Sequence, residues 1–366
     1  MIRGRNADRL LIVTTLGLVA AGAVMVYSTS FIVAMKKFGD EYFFVKKHLG
    51  FALAGMVLFI VFSRIHYRLY RRLTYPILAL AIVLLALIFV PGIGHKVGGA
   101  RRWLALGGVT FQPSEFAKLA VIIFLAYSLE AKKDVIKTFS PGFLPHVVVP
   151  GAVIALIMAE PDFGTAVTLT MLVYILSFTA GVRLRYLLGL AVMMMPALYM
   201  VVSNFGYMMQ RIAAFLDPWK DPGGAGFQII QSLLAFGSGG IWGTGLGEGR
   251  QKLFYLPEAH TDFIFSVIGE ELGLIGVGII ISLYVGFLVS GTMIALRTKD
   301  LFGKYLALGL TLMVSLQALI NMAVVMGILP PKGLPLPFVS YGGTSLVVSM
   351  VAVGIILNIC IKGNEA

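Results

Sequence analysis

The strongest constraint on this chain is a series of apolar segments of about 17 to 25 residues, the length that crosses a membrane as a helix. A transmembrane β-barrel would instead show alternating strands of about ten residues. Apolar residues make up 58% of the 366 residues and charged residues 13%, against about 25% charged in a soluble domain. We therefore predict an all-α polytopic membrane protein that forms a single integral membrane domain over residues 1–366. About ten transmembrane helices are expected, near 10–28, 46–63, 76–91, 114–130, 145–160, 163–181, 187–203, 263–291, 305–328 and 343–361.

The orientation follows from the loops. The short loops on the side of both termini are dense in Lys and Arg, as in residues 64–72 and 132–137, and such loops favour the cytoplasm. Both termini are therefore predicted to be cytoplasmic. The polar segment 204–262 then forms a large extracytoplasmic loop between helices seven and eight. We interpret the N-terminal apolar run as a retained first helix and not as a cleaved signal.

Several cations lie in the outer loops, against this rule. Because guanidinium and ammonium groups bind phosphate, and Arg matches its geometry, we predict an anionic ligand for one group of them. For the outer lysines between residues 36 and 47, anchoring to lipid headgroups is an equally good interpretation. The predicted anion-binding residues are Arg101, Arg102, Arg211, Arg250 and Lys252.

Residues 250–265, RQKLFYLPEAHTDFIF, place two carboxylates, a histidine and two cations at the edge of a span. Asp262 lies where the polar segment meets the next apolar helix. Its carboxylate is therefore expected to be partly desolvated and poised as a base. His260 is a candidate proton carrier or substrate ligand, with a packing role as the alternative. Glu258, His260 and Asp262 together have metal-ligating groups, but no second His motif supports zinc, and no metal site is predicted.

Two charges lie inside the fourth predicted span. Glu115 and Lys118 are three residues apart, so they share one helix face and can pair. Charges inside a span seldom face lipid. The pair is therefore either a structural ion pair that neutralises itself or part of a polar cavity that binds substrate.

The sequence AEPDFGTA leaves no room for a loop between the fifth and sixth spans. Pro161 and Gly164 interrupt the helical pattern, and the backbone exposed there must be buried in protein or line a cavity. Asp162 is expected to cap the following helix, which leaves a role in substrate binding open.

The segment 329–346, LPPKGLPLPFVSYGGTSL, is rich in proline and glycine. Such a segment is expected to form a rigid re-entrant or extended turn at the membrane face. Ser340, close to the start of the last helix, is a candidate ligand for substrate through its hydroxyl.

Four segments occur in a fixed order: EPDFGT, FLDPWKDPGGAGFQIIQSLLAFGSGG, QKLFYLPEAHTDFIFSVIGEELG and KGLPLPFVSYGGTSL. They resemble the SEDS family of bacterial cell-wall polymerases over nearly the whole chain. The residues of these segments are closer to the cell-division branch than to the elongation branch. The resemblance implies a ten-helix enzyme of the bacterial cytoplasmic (inner) membrane, with its active site on the outer face. Such an enzyme is a peptidoglycan glycosyltransferase that polymerises lipid II into glycan during septal cell-wall synthesis. It also implies a class B penicillin-binding protein as partner.

The resemblance assigns roles to particular residues. Asp262 matches the essential aspartate of the outer loop, Glu115 and Lys118 match the charged residues of the fourth helix, and Asp162 and Arg211 match two further family motifs. The reaction needs a base that takes the proton from the acceptor 4-hydroxyl, and Asp262 is the candidate. The acceptor then displaces undecaprenyl pyrophosphate with inversion, and Arg or Lys side chains, with a divalent cation such as Mg²⁺ left open, would offset the charge.

Two alternatives remain open from the sequence. A lipid II flippase would use the charges inside the spans as a hydrophilic track and the Pro-Gly breaks for alternating access, although the two halves show no repeat. A noncatalytic division scaffold would have no use for so many intramembrane charges. No nucleic-acid partner is expected in any of these cases.

Overall fold

The computed structural model describes residues 5–97, 100–106, 109–204, 206–250 and 259–363. Within these ranges the chain is a bundle of helices, and each of the predicted apolar segments falls on a helix. The helices are α1 (Arg5–Phe38), α2 (Phe43–Arg64), α3 (Arg68–Arg72), α4 (Thr74–Leu87), α5 (Pro113–Ala131), α6 (Leu144–Ala159), α7 (Phe163–Thr179), α8 (Leu184–Asn204), α9 (Gly206–Leu216), α10 (Phe227–Gly239), α11 (Ile264–Arg297), α12 (Leu301–Val325) and α13 (Gly343–Lys362). A π-helical turn, Phe139–Phe143, precedes α6.

Many of these helices have the length and composition of membrane spans. In the part of the chain that the structure describes, six meet both criteria: Asn6–Phe38, Phe43–Arg64, Phe139–Ala159, Ile264–Arg297, Leu301–Val325 and Gly343–Lys362. Three shorter apolar helices, Thr74–Leu87, Phe163–Thr179 and Leu184–Pro196, are further candidates. The predicted class, a polytopic helical membrane protein, is confirmed. The number of spans stays a prediction.

Helices α5, α12 and α13 form the centre of the bundle, where nearly all of the α5 side chains are buried. Small residues allow the close approach that helices need in lipid. A β-carbon on Gly309 of α12 would lie 2.6 Å from Cγ2 of Ile122 in α5. One on Gly354 of α13 would lie 2.6 Å from the carbonyl oxygen of Phe59 in α2. The tight centre holds the ends of these helices in fixed positions.

A small antiparallel sheet departs from the all-α expectation. Its strands, β1 (Gly94–Val97), β2 (Ala100–Leu106) and β3 (Val109–Phe111), lie in the order β1-β2-β3 between α4 and α5. Short runs of alternating apolar and polar residues separated by Gly-Gly pairs are a hairpin signal. This sheet was not predicted, because the prediction followed the long apolar segments. Arg101 and Arg102 are consecutive on β2, so their side chains point to opposite faces of the sheet.

Helix α11 is broken, although its sequence predicts one continuous span over 263–291. Gly273 has φ 63° and ψ −162°, a conformation that is essentially restricted to glycine. The backbone groups that the break exposes bond to the 240–245 loop. The Thr244 N–H donates to the Glu270 carbonyl (2.9 Å), and the Leu274 N–H donates to the Gly240 carbonyl (2.9 Å). The break therefore anchors the preceding loop on the helix.

The predicted large loop, 204–262, is largely helical where the structure describes it. Helices α9 and α10 lie within it, and a short 3-10 turn, Pro218–Lys220, connects them. Helix α10 packs on α11, and the Ser232 hydroxyl donates to the Val325 carbonyl at 2.6 Å. The loop is thus held against the end of the bundle from which α11 begins and at which α12 ends.

Candidate active site

The segment between α12 and α13 is extended and enters the bundle. Leu334, Leu336 and Phe338 are buried. Prolines remove several N–H donors from this segment, and its carbonyls must find partners because no water solvates buried backbone. Asn321 of α12 donates to the Leu334 carbonyl at 2.6 Å. The hydroxyl of Tyr284 in α11 donates to the carbonyl of Pro337.

The turn that carries Asp262 is fixed by three consecutive carbonyls. The Tyr341 N–H donates to the His260 carbonyl (3.0 Å), and the Ser340 hydroxyl donates to the Thr261 carbonyl (2.5 Å). Asn321 Nδ2 donates to the Asp262 carbonyl (2.8 Å). These bonds fix the backbone from which the half-buried Asp262 carboxylate extends, which is the preorganisation that a catalytic group requires.

The Asp262 carboxylate lies against Gly333. A β-carbon at Gly333 would be 3.0 Å from Asp262 Oδ2, so glycine leaves room for the carboxylate and for a group that approaches it. Gly333 itself is exposed. The carboxylate therefore lies at the edge of the bundle and not in its sealed interior.

Two of the predicted anion-binding arginines, Arg211 and Arg102, lie in this region. Arg211 of α9 donates from Nη1 to the Pro331 carbonyl at 2.8 Å. Burial lowers the pKa of the Arg211 guanidinium, the carboxylate of Asp262 raises it, and the positive charge of Arg102 lowers it again. Arg102 of β2 donates to the carbonyls of Glu160 and Pro161. Asp262 thus has the Arg211 guanidinium as a neighbouring cation, and Arg102 lies close to Arg211.

Asp162 caps α7, as its sequence predicts. Its Oδ1 accepts the Thr165 N–H at 3.2 Å. Its Oδ2 accepts hydrogen bonds from the Thr165 hydroxyl (2.9 Å), the Ser114 hydroxyl (3.2 Å) and the Gln112 side-chain amide (3.2 Å). Asp162 therefore joins the start of α7 to the start of α5. Its role in substrate binding stays a prediction.

Glu115 and Lys118 form the expected ion pair, with Lys118 Nζ 2.9 Å from Glu115 Oε1. The Lys118 ammonium also donates to Gln317 Oε1 of α12 at 2.5 Å. The Gln317 amide donates in turn to the Pro335 carbonyl at 3.0 Å. Both charged side chains are almost completely buried. The pair is enclosed, and a direct contact with substrate stays a prediction.

These groups come from distant parts of the sequence, yet they meet at five consecutive residues, which we call the 331–335 segment. Gly164, two residues after Asp162, lies so close to the segment that a β-carbon on it would be 2.8 Å from Leu334 Cγ. In chain order, the contacts are Pro331 with Arg211, Gly333 with Asp262, Leu334 with Gly164 and Asn321, and Pro335 with Gln317, the partner of Lys118.

The other predicted site residues lie at the periphery of this cluster or in its framework. Arg101 is exposed on β2, and Arg250 is exposed while its backbone N–H donates to Glu270 Oε1 at 2.7 Å. The His260 ring lies 4.8 Å from Phe44 and 5.9 Å from Tyr341, between ring centroids.

The Ser340 hydroxyl is engaged by the backbone on both sides, since it also accepts the Leu336 N–H at 2.8 Å. It positions the Asp262 turn, and its predicted contact with substrate stays a prediction. Lys252 lies outside the described residues.

Glu160 is a candidate functional residue that was not predicted from the sequence. Its side chain is buried, and neither carboxylate oxygen has a hydrogen-bond partner among the residues that the structure describes. The pKa of Glu160 is raised to about 8, chiefly by burial and also by the charge of Asp162, while the charge of Arg102 opposes both. Its sequence signal was present in the EPDFGT motif, but only the tertiary structure shows that the carboxyl is desolvated.

The donor groups that the structure describes at this site do not fit a divalent cation. Within the described ranges, no group of three or more His, Cys, Asp or Glu side chains has the spacing to hold a metal. The Asp162 carboxylate already accepts four hydrogen bonds, and the Arg211 guanidinium interacts with Asp262. No step below is therefore derived through Mg²⁺.

Comparison with known proteins decides the family. The family described as "Cell cycle protein", whose model is named for FtsW, RodA and SpoVE, matches residues 8–365. This chain belongs to the FtsW/RodA/SpoVE family. The resemblance found in the four sequence motifs is thereby confirmed.

Relatives from this family match nearly the full length of the chain. The probable peptidoglycan glycosyltransferase FtsW of Geobacter sulfurreducens is 49% identical over 352 residues, 96% of this chain and 94% of the relative. A solved structure described as "Structural coordination of polymerization and crosslinking by a peptidoglycan synthase complex" has 29% identity and a TM-score of 0.80, over 97% of this chain and 98% of that one. The rod shape determining protein RodA of Thermus thermophilus has 26% identity and a TM-score of 0.72, over 97% of both chains.

Proposed function

We propose that this protein is a peptidoglycan glycosyltransferase that polymerises lipid II into glycan strands for the septal cell wall. The observation that carries the proposal is the fixed Asp262 carboxylate at an exposed edge of the bundle, with Arg211 beside it and Arg102 close to Arg211. A base next to a surplus of positive charge suits a displacement in which a proton is removed and a diphosphate leaves. The relative from Geobacter sulfurreducens is named for this activity.

In this reaction Asp262 takes the proton from the 4-hydroxyl of the acceptor GlcNAc. The oxygen attacks C1 of the donor MurNAc, and the bond from C1 to the diphosphate oxygen breaks with its electron pair on the leaving group. The configuration at C1 inverts, which gives a β-1,4 link and undecaprenyl pyrophosphate. Arg211 and Arg102 stabilise the charge that develops on the diphosphate, and the three bonds to the 260–262 carbonyls keep the base in place.

The position of the site supports an active site on the outer face of the inner membrane. Helix α1 runs antiparallel to α11, because Gly286 packs on Thr14 while Ser28 bonds to Glu271. At the other end, Gly363 lies beside Thr298. The start of α1 and the end of α13 are therefore at the end of the bundle opposite Asp262. If Lys- and Arg-rich loops keep the termini in the cytoplasm, the base faces the compartment that receives glycan.

A class B penicillin-binding protein is the proposed partner. The support is a solved relative that comes from a peptidoglycan synthase complex of polymerisation and crosslinking, and it matches this chain over almost its whole length. Such a partner would crosslink the strands that this protein makes. Purification of the complex from detergent extracts, with and without the partner's transmembrane helix, tests the assignment.

The deciding experiment measures glycan synthesis from lipid II by the purified full-length protein, with Asp262→Asn as the test variant. We expect a loss of roughly 10²- to 10⁴-fold, the contribution of a general base. The fold should persist, because the variant keeps the carbonyl bond to Asn321. Asp134→Asn, an exposed aspartate on another loop, is the matched control and should retain the wild-type rate.

The same assay separates the other functions. Wild-type turnover in Asp262→Asn would remove this residue from the mechanism. Translocation of lipid II without glycan chains would identify a flippase, and neither activity, with the partner still bound, would identify a scaffold.

A further inference from the structure

Lys332 is the charged residue of the 331–335 segment. The carbonyls of its neighbours Pro331, Leu334 and Pro335 bond to side chains from α9 and α12. The Lys332 ammonium makes neither a hydrogen bond nor an ion pair within the described chain. The side chain is nevertheless half-buried. A desolvated ammonium without an acceptor is unfavourable for the protein alone.

Lys332 has a positively charged neighbour, Arg211. Arg211 bonds to the carbonyl immediately before it, and the residue immediately after it, Gly333, contacts Asp262. Burial lowers the pKa of the Lys332 ammonium, and the positive charge of Arg211 lowers it further. The charge of Arg102 also acts on Arg211. Arg211 therefore has two positively charged neighbours, Lys332 and Arg102, and an anion that binds between Lys332 and Arg211 would relieve their repulsion.

The chemistry of that anion follows from the charges. A phosphate diester carries one negative charge, which one guanidinium can balance. A diphosphate carries at least two, spread over two phosphoryl groups, and it calls for a second cation at a separate point. Arg211 provides a planar fork and Lys332 a compact charge, the two kinds of group that bind phosphates in proteins.

We propose that Lys332 and Arg211 together bind the diphosphate of a polyprenyl-linked donor next to Asp262. This inference rests on the proposed function and names a residue within it. Lys332 remains an ammonium throughout. Its charge offsets the negative charge that grows on the diphosphate oxygen as the bond to C1 breaks, while the proton of the acceptor goes to Asp262. Because the offset is larger in the transition state than in the bound donor, Lys332 should contribute to kcat as well as to binding.

The test uses the full-length protein in detergent, with binding and turnover measured separately. Lys332→Met removes the charge and keeps most of the volume, Lys332→Arg keeps the charge, and Lys220→Met removes an exposed cation elsewhere in the same loop region. The probes are undecaprenyl pyrophosphate, undecaprenyl monophosphate, inorganic pyrophosphate and phosphatidylglycerol, each competing with fluorescent lipid II. Thermal unfolding of every variant is followed in parallel.

We expect Lys332→Met to weaken undecaprenyl pyrophosphate binding by roughly ten- to a hundredfold, the size of one charge-assisted contact. Binding of the monophosphate should fall less, and inorganic pyrophosphate should lose its ability to compete. The melting temperature should stay the same or rise, since no partner is left unpaired. Lys332→Arg should recover most of the affinity, and Lys220→Met should leave it unchanged.

Other results would overturn the assignment. Equal loss for the pyrophosphate and the monophosphate, or equal loss in Lys220→Met, would show a general charge effect. Displacement by phosphatidylglycerol as effective as by the diphosphate would show a headgroup site. Because binding is measured without turnover, a wild-type protein that makes no glycan removes the proposed function alone. Conversely, normal binding and turnover in Lys332→Met removes only the role of Lys332.

Discussion

Replacement of Lys118 by Met tests the buried ion pair at the centre of the bundle. Lys118 Nζ is 2.9 Å from Glu115 Oε1 and 2.5 Å from Gln317 Oε1, and the two charged side chains are 1% and 3% exposed. The substitution would leave the Glu115 carboxylate buried without its counter-charge. It would also leave the Gln317 amide oxygen without a donor.

The magnitude follows from this geometry. Two unit charges at this separation attract by on the order of 5 kcal/mol with an effective dielectric constant near 20. Removal of one partner from a buried pair typically destabilises by about 3–5 kcal/mol, whereas removal of both is often close to neutral. We therefore expect Lys118→Met to destabilise the fold by about 3–5 kcal/mol. The double variant Glu115→Gln, Lys118→Met should recover to within about 1–2 kcal/mol of the wild type.

The assay is unfolding of the detergent-solubilised protein, combined with glycan synthesis per folded molecule. If the pair is only structural, the double variant regains both stability and turnover. If Lys118 also serves the substrate, it regains stability while turnover stays low. Wild-type stability in Lys118→Met would refute the reasoning, because it would mean that a carboxylate in the centre of this bundle does not need its counter-charge.

Two further predictions concern Glu160 and Gly273. Because the pKa of Glu160 rises from 4.5 to about 8 on folding, the folded protein holds a proton that the unfolded chain releases, and stability falls as pH rises through this window. Relative to Glu160→Gln, the wild type should lose about 1.4 kcal/mol per pH unit between pH 5 and 8; parallel pH profiles of the melting temperature would contradict this. Gly273→Ala would place a β-carbon on the backbone of Gly243 and Ile241 and should lower stability by about 1–3 kcal/mol or more. Gly278→Ala on the same helix meets open space, and equal melting temperatures for the two alanine variants would refute the argument.

The features predicted correctly depend on residues that are close in sequence. Glu115 and Lys118 are three residues apart, and helix geometry alone makes them neighbours. Asp162 precedes a helix that it caps through Thr165, which is a local hydrogen bond. The apolar segments predicted their helices because the thickness of the lipid bilayer sets the length of an apolar span. That length does not depend on which other helices pack against the segment.

Local patterns also explain what was missed. The small sheet before α5 was not predicted, because the prediction followed the hydropathy of the long apolar segments around it. Its Gly-Gly pairs nevertheless carry a hairpin signal. The break at Gly273 has no local signal, since glycines are frequent in membrane helices. Only the 240–245 loop, which bonds to the groups that the break exposes, makes that conformation favourable.

The sequence by itself determined the class of the protein, the helices of its long apolar segments, its family and the residue types available for chemistry. The tertiary structure alone decided that Asp262, Arg211 and the partner of Lys118 meet at the 331–335 segment, with Lys332 between them. The physical reason is the distance along the chain over which each interaction acts. Hydropathy, helix pairing and capping act over a few residues, whereas this meeting depends on packing among helix ends that are up to about two hundred residues apart, and no pattern along the chain encodes those distances.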